Sequence, residues 1–72
     1  LPLDQVVGVL SQVPHAQLQK VAVQEIGRRC TSERQIEQLF QCGGFQVLVG
    51  LLTTAPPFVQ FHVANALINA SC

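Results

Sequence analysis

Slid over itself by 41 positions, this chain matches its own second half, and that self-similarity limits the folds open to it more than any other feature. Gln5-Val6-Val7 falls on Gln46-Val47-Leu48, and Leu10 falls on Leu51. In the same gap-free register Leu18-Gln19 falls on Val59-Gln60, Ala22 on Val63 and Ile26 on Leu67. Two separated blocks that share one register point to a structural repeat. A period in the forties is the length of a helical solenoid unit, in which each unit buries its apolar face on a neighbour.

The chain divides into five helical segments. Val6, Val7 and Leu10 mark the apolar side of a first helix over Leu3 to Gln12, before Pro14 interrupts. A second helix is expected from His15 to Arg29, with Leu18, Ala22 and Ile26 as an i, i+4, i+8 stripe and Val21 flanking it. Ser32 followed by Gln35 has the spacing of a capping box and starts a short third helix to Gln41, with Ile36, Leu39 and Phe40 inward. Gly43-Gly44 stops that helix, because glycine readily takes the left-handed conformation at a helix end. A fourth helix over Phe45 to Leu52 runs toward the break at Pro56-Pro57. The fifth starts at Pro57, since proline is tolerated in the first turn, and reaches Ala70. Val47-Leu48-Val49 could also read as a buried strand, but Leu51-Leu52 and the register favour a helix.

From Ile36 to Ser71 the chain resembles the armadillo repeat family. The resemblance rests on Gly43-Gly44 after a short helix, then Leu48-Val49-Gly50-Leu51-Leu52, Val59-Gln60, Ala66-Leu67 and Asn69. Val63 stands where the family usually has alanine, and in the preceding copy Arg28 stands where it usually has asparagine. HEAT repeats lack the short first helix and the glycine pair. The resemblance implies an all-α, right-handed αα superhelix, of which this chain is a single fragment of about one and two-thirds repeats. Residues 32–72 would be one complete three-helix repeat, and residues 3–30 the second and third helices of the preceding one.

In that family the third helices line a concave groove, and their asparagines bond the backbone of an extended peptide. The last helix has a stripe that suits this role. At about 100° per residue, Phe58, His62, Asn65 and Asn69 share one side, while Val59, Val63, Ala66 and Ala70 share another. Phe61, Ala64 and Ile68 form a third, apolar stripe. The equivalents of the amide stripe one repeat earlier are Gln17, Val21, Gln24 and Arg28. An amide both donates and accepts, so it can satisfy a peptide unit in both directions. Arg28 adds a fork suited to a carboxylate. The expected partner-binding residues are therefore Gln24, Arg28, His62, Asn65 and Asn69, set against a purely structural duty for Asn69 near its helix end. Importin-type members carry tryptophan four residues before the asparagine. That place is Asn65 here, and the chain has no tryptophan, so binding of nuclear signals is not expected.

Composition bears on the partner. Hydrophobic residues make up 49% of the 72 positions and charged residues 11%, against about 25% charged in an average domain. So little polar surface implies that some apolar area faces other protein, either neighbouring repeats of a longer chain or a second copy of this one. A fragment this short is expected to be weakly stable alone, to self-associate or to swap helices. Formal net charge is zero and no basic run extends past Arg28-Arg29, which speaks against nucleic acid and against an anionic membrane surface. No apolar run reaches the roughly 20 residues of a membrane helix, and no signal peptide is visible. A first residue that is not methionine suggests an excised segment.

Three cysteines, Cys30, Cys42 and Cys72, without a CxxC spacing, make a poor disulfide or zinc framework and suggest reduced thiols in the cytoplasm or nucleus. His15 and His62 have no ligand spacing, and no metal or other cofactor is expected. Glu33 and Glu37 read as a solvated helix face rather than an acid–base pair, and no phosphate loop or nucleophile elbow is present, so the chain does not read as an enzyme. The expected function is a protein-interaction scaffold. A spacer segment without a ligand of its own is the alternative, and an independent bundle around an apolar ligand is a third reading.

Overall fold

The computed structural model describes residues 2–12 and 15–71, the side chain of Ser71 excepted; the expected break at Pro14 and the thiol of Cys72 lie outside them. Among the described residues the chain is all-helical. It contains α1 (Leu3–Gln12), α2 (Ala16–Arg29), α3 (Glu33–Gln41), α4 (Gly44–Thr54) and α5 (Pro57–Ser71).

The boundaries follow local chemistry. The Pro2 carbonyl accepts from the N–H groups of Gln5 and Val6 at 3.1 and 3.2 Å, and Asp4 sits in the first turn where a negative charge meets the positive end of the helix dipole. Arg28 and Arg29 occupy the last turn of α2, where the dipole has the opposite sign. Of the two bonds of the expected capping box, the structure forms the one from the Gln35 N–H to Ser32 Oγ, at 3.4 Å. Thr53 and Thr54 turn their hydroxyls back onto the Gly50 carbonyl at 2.9 and 3.0 Å as α4 ends. Pro57 opens α5 without a missing bond, since the first-turn N–H of a helix has no internal acceptor.

The two glycines between α3 and α4 serve different ends. Gly43 has φ +79°, the left-handed region, and open space where a side chain would stand. Gly44 has ordinary backbone angles but no room, because a Cβ there would fall 2.9 Å from Leu39 Cγ and 3.0 Å from the Leu39 carbonyl oxygen. Leu39 is fully buried and cannot retreat. One glycine turns the chain, and the other lets α4 close down on α3.

Helices related by the 41-residue register lie side by side: α1 against α4, and α2 against α5, the latter the most extensive contact of the fold. α1 also packs on α2, and α4 on α5, so each unit keeps the same internal pairing. One core runs through all five helices. Its fully covered members are Val23, Ile26, Leu39, Leu48, Val59 and Val63, each worth about 1.5–3 kcal/mol for leaving water. No polar or charged side chain is buried among the described residues.

Two expected inward residues, Leu18 and Phe40, point outward, as does Val21, which flanks the α2 stripe. Leu18 is 48% exposed and Val21 60%, whereas Val23 is fully buried. Successive i+4 steps wind about 40° around a helix, so a stripe anchored at Ile26 has drifted by about 80° at Leu18. Val23, three residues before Ile26, stays nearer the core side. Phe40 is 71% exposed, because Leu39 has taken the inward position over Gly44. The Phe40 ring instead lies against Phe45, with centroids 6.1 Å apart.

The two glycine roles separate by mutation. Gly43→Ala should cost roughly 1–2 kcal/mol, and Gly43→Asn less, because asparagine tolerates the left-handed region. Gly44→Ala should cost about 1–3 kcal/mol through overpacking, with Gly44→Asn worse still. Urea midpoints measure both; a Gly44→Ala variant as stable as wild type would refute the close approach to Leu39.

Candidate functional site

The contact between α2 and α5 is where the expected binding residues meet. Gly27 approaches α5 closely: a Cβ at this position would lie 3.6 Å from Ala66 Cα, 3.7 Å from Ala66 Cβ and 3.8 Å from Asn69 Nδ2. Two small residues, Gly27 and Ala66, thus face each other across the helix pair. The floor they make with Val23 opens outward into a hollow of about 240 Å³. Gln24 and Arg28, one turn apart on α2, form one wall, and His62, Asn65 and Asn69 on α5 form the other.

All five residues named from the sequence therefore line a single depression. The register explains why. Gln24 and Arg28 are the images of Asn65 and Asn69, so adjacent packing of α2 and α5 brings like positions to the same side. Gln24, Arg28, Asn65 and Asn69 are exposed, and His62 is half-buried, its ring edge-on to Phe61 with centroids 5.4 Å apart. Phe58, the fourth member of the α5 stripe, and Gln17 and Val21 on α2 are not among the lining residues.

The electrostatics differ from the expectation at Arg28. Its guanidinium donates to Glu25 Oε1 rather than standing free, and Arg29 Nε donates to Glu25 Oε2. These two hydrogen bonds, that from Arg29 foremost, hold the Glu25 carboxyl below its usual range. A partner carboxylate would have to share Arg28 with an acceptor already in place. Glu25 offsets one of the two arginine charges, and the remaining polar groups that line the hollow are amides and one imidazole.

Other chemistry is sparse. Among the described residues, no group of three His, Cys, Asp or Glu side chains comes together. Cys30 and Cys42 are free thiols. Burial pushes the Cys30 thiol up, away from the reactive thiolate, and Cys42 Sγ donates to the Leu39 carbonyl at 3.4 Å. No helix of the described residues is long and apolar enough to cross a membrane.

Sequence reasoning placed Ala66 on the packing stripe of α5 but did not single out Gly27, its counterpart at the bottom of the hollow. An isolated glycine inside an otherwise regular helix is itself a signal of close packing. The Glu25–Arg28 and Glu25–Arg29 pairs were also readable, as opposite charges three and four residues apart on a helix.

No protein-family model, curated protein or solved structure matches this chain.

Two measurements test this geometry. Gly27→Ala places its methyl at ordinary contact distance in a helix interior, so it should leave stability unchanged or raise it by up to about 1 kcal/mol, read as a shift in thermal midpoint. A clear loss would show the helices closer than described. For Glu25, a carboxyl held low when folded contributes stability that is present above its unfolded value and lost as pH falls through its folded value. A carbon-detected NMR titration should place its midpoint below that of a glutamate in an unstructured peptide. Arg29→Gln should raise that midpoint more than Arg28→Gln; equal effects would contradict the order of the two hydrogen bonds.

Proposed function

We propose that this chain is a protein-interaction module, a segment of an armadillo-type helical solenoid that holds an extended partner segment across the groove between α2 and α5. The observation that carries this reading is the convergence of Gln24, Arg28, His62, Asn65 and Asn69 around one hollow between two register-equivalent helices.

The mechanism follows from which partner backbones have hydrogen bonds to offer. A helical partner has already spent its backbone N–H and C=O groups internally, whereas an extended one presents both. The Asn65, Asn69 and Gln24 amides can each accept from a peptide N–H and donate to a peptide C=O. Such contacts are indifferent to partner side chains and suit a segment laid across the groove. The size of the hollow points the same way: about 240 Å³ is below the roughly 300–1,000 Å³ of pockets that enclose small molecules. Rigidity comes from the floor, since Val23 and Ala66 belong to the core, and ordering the groove on binding then costs little. Free Cys30 and Cys42 fit a reducing compartment, the cytoplasm or the nucleus.

The alternative, a spacer without a ligand of its own, draws on the exposed Val21 and Phe61, which suit contact with further helices. Binding separates the two. Linear peptides selected from a random library on the wild-type chain should lose about tenfold in affinity to Asn69→Ala, since one lost hydrogen bond that leaves a peptide group unpaired costs about 1–3 kcal/mol. Asn65→Ala should act similarly, and Phe61→Glu should leave the affinity unchanged. Selected peptides that bind both asparagine variants as tightly as wild type would remove the groove from the function.

A further inference from the structure

The floor and the rim of the α2/α5 hollow differ in chemistry. The floor is apolar: Val23 and Ala66 are 0% and 2% exposed, and Gly27 adds no side chain. The polar groups stand at the rim, Gln24 and Arg28 on α2 and His62, Asn65 and Asn69 on α5. Both walls belong to helices that pack on each other within this chain. Floor and rim meet at Gly27. A Cβ there would lie 3.7 Å from Ala66 Cβ on the floor and 3.8 Å from Asn69 Nδ2 on the rim. Glycine therefore keeps the hollow at least one methyl group deeper than any other residue would leave it.

The rim amides bond a peptide backbone without regard to its side chains. The floor is not indifferent. An extended segment turns successive side chains to opposite faces, so one bonded along the rim sends every second side chain downward. Water over an apolar floor finds no hydrogen-bond partner beneath it, and an apolar group that displaces it gains affinity. A charged side chain would be stripped of water there with no counter-charge below. α5 contains no Asp, Glu, Lys or Arg. The Arg28 side chain is 78% exposed and donates to Glu25, so a partner carboxylate would meet it in solvent rather than on the floor.

We propose, resting on the reading of the α2/α5 groove as the peptide site, that the hollow is a side-chain pocket for one uncharged aliphatic residue of the partner, valine, isoleucine or leucine in size. Gly27 is its specificity-determining residue. At about 240 Å³ the hollow is smaller than pockets that enclose a whole small molecule, and it suits a single side chain. The rim fixes where the partner backbone lies, and the floor selects which of its residues faces inward.

Linear peptides selected from a random library on the wild-type chain test this in a double-mutant cycle, read as dissociation constants by calorimetry. Each selected peptide should have one aliphatic position whose change to alanine costs about tenfold, since about two or three buried methyl or methylene groups are lost. Changing that residue to aspartate or lysine should cost at least as much. Gly27→Ala raises the floor and keeps every rim amide. It should weaken the parent peptide about tenfold and the alanine form by less than about twofold. Circular dichroism confirms that Gly27→Ala keeps its helices. Methyl NOEs from the aliphatic residue to Ala66 and Val23 of wild type supply a second readout that needs no variant. Peptides that weaken with Asn69→Ala yet show no aliphatic position coupled to Gly27 would overturn the pocket and leave the groove. An inward position that selects aspartate or glutamate and weakens with Arg28→Gln would overturn the pocket too. Peptides indifferent to both Asn65→Ala and Asn69→Ala, or a library without a binder, would overturn groove and pocket together.

Discussion

The contact between Gly27 and Ala66 sets the spacing on which the rest of the molecule depends. With nothing larger than a methyl on either side, α2 and α5 come close enough for Val23, Ile26, Val59 and Val63 to be sealed from water together. Moving the helices apart to fit a large side chain at that point would open the core along the pair, at the several kcal/mol that a buried cavity costs. The same spacing fixes the depth of the amide-lined hollow, since its floor is the contact itself. Core packing and the shape of the hollow are thus two sides of one helix pair, and a change that alters one alters the other.

The register was the most informative part of the sequence because translation symmetry constrains everything that obeys it. Five helices, their order and nearly all their boundaries could be read from the repeat together with the glycine and proline breaks, and so could the convergence of Gln24 and Arg28 with Asn65 and Asn69. What escaped was rotation about the helix axes. Leu18 and Phe40 looked inward because spacing alone cannot say which of two neighbouring apolar residues wins the core side. The outcome depends on partners distant in the chain. For α3 the decision rests on Gly44, whose missing side chain leaves a socket for Leu39 and sends Phe40 outward. For α2 it rests on α5, which covers Val23 and leaves Val21 bare. Arg28 was misread in a different way: its position was right, but its charge is shared with a neighbour on the same helix.

That shared charge shapes what the groove can discriminate. A free guanidinium in the hollow would favour acidic segments strongly and would draw them from a distance. With Glu25 bonded to both arginines, the trio keeps a single net positive charge, half that of the arginines alone, and under the proposed reading more of the selectivity falls to short-range fit and to amide hydrogen bonding. If the proposed reading holds, such a surface suits partners recognised by backbone shape, and affinity would accumulate over the equivalent hollows of a longer array more readily than it concentrates in one.

The unusual composition has its cause in the same geometry. The exposed apolar side chains gather on two edges of the α2/α5 pair. These are the Val21 edge of α2 and the Phe61–Ile68 edge of α5, and together they account for most of the large apolar side chains left in contact with water on these two helices. A self-contained bundle of similar size would place charged residues at such positions, because nothing would be lost by doing so. In this chain Val21, Phe61 and Ile68 are apolar although their register images, His62, Lys20 and Gly27, are not large apolar side chains, so the exposed stripes belong to these positions and are not copies of a buried contact. Low charge and high apolar content therefore have a definite place in the fold, the outward edges of its most extensive helix pair, and that placement suits contact with other protein.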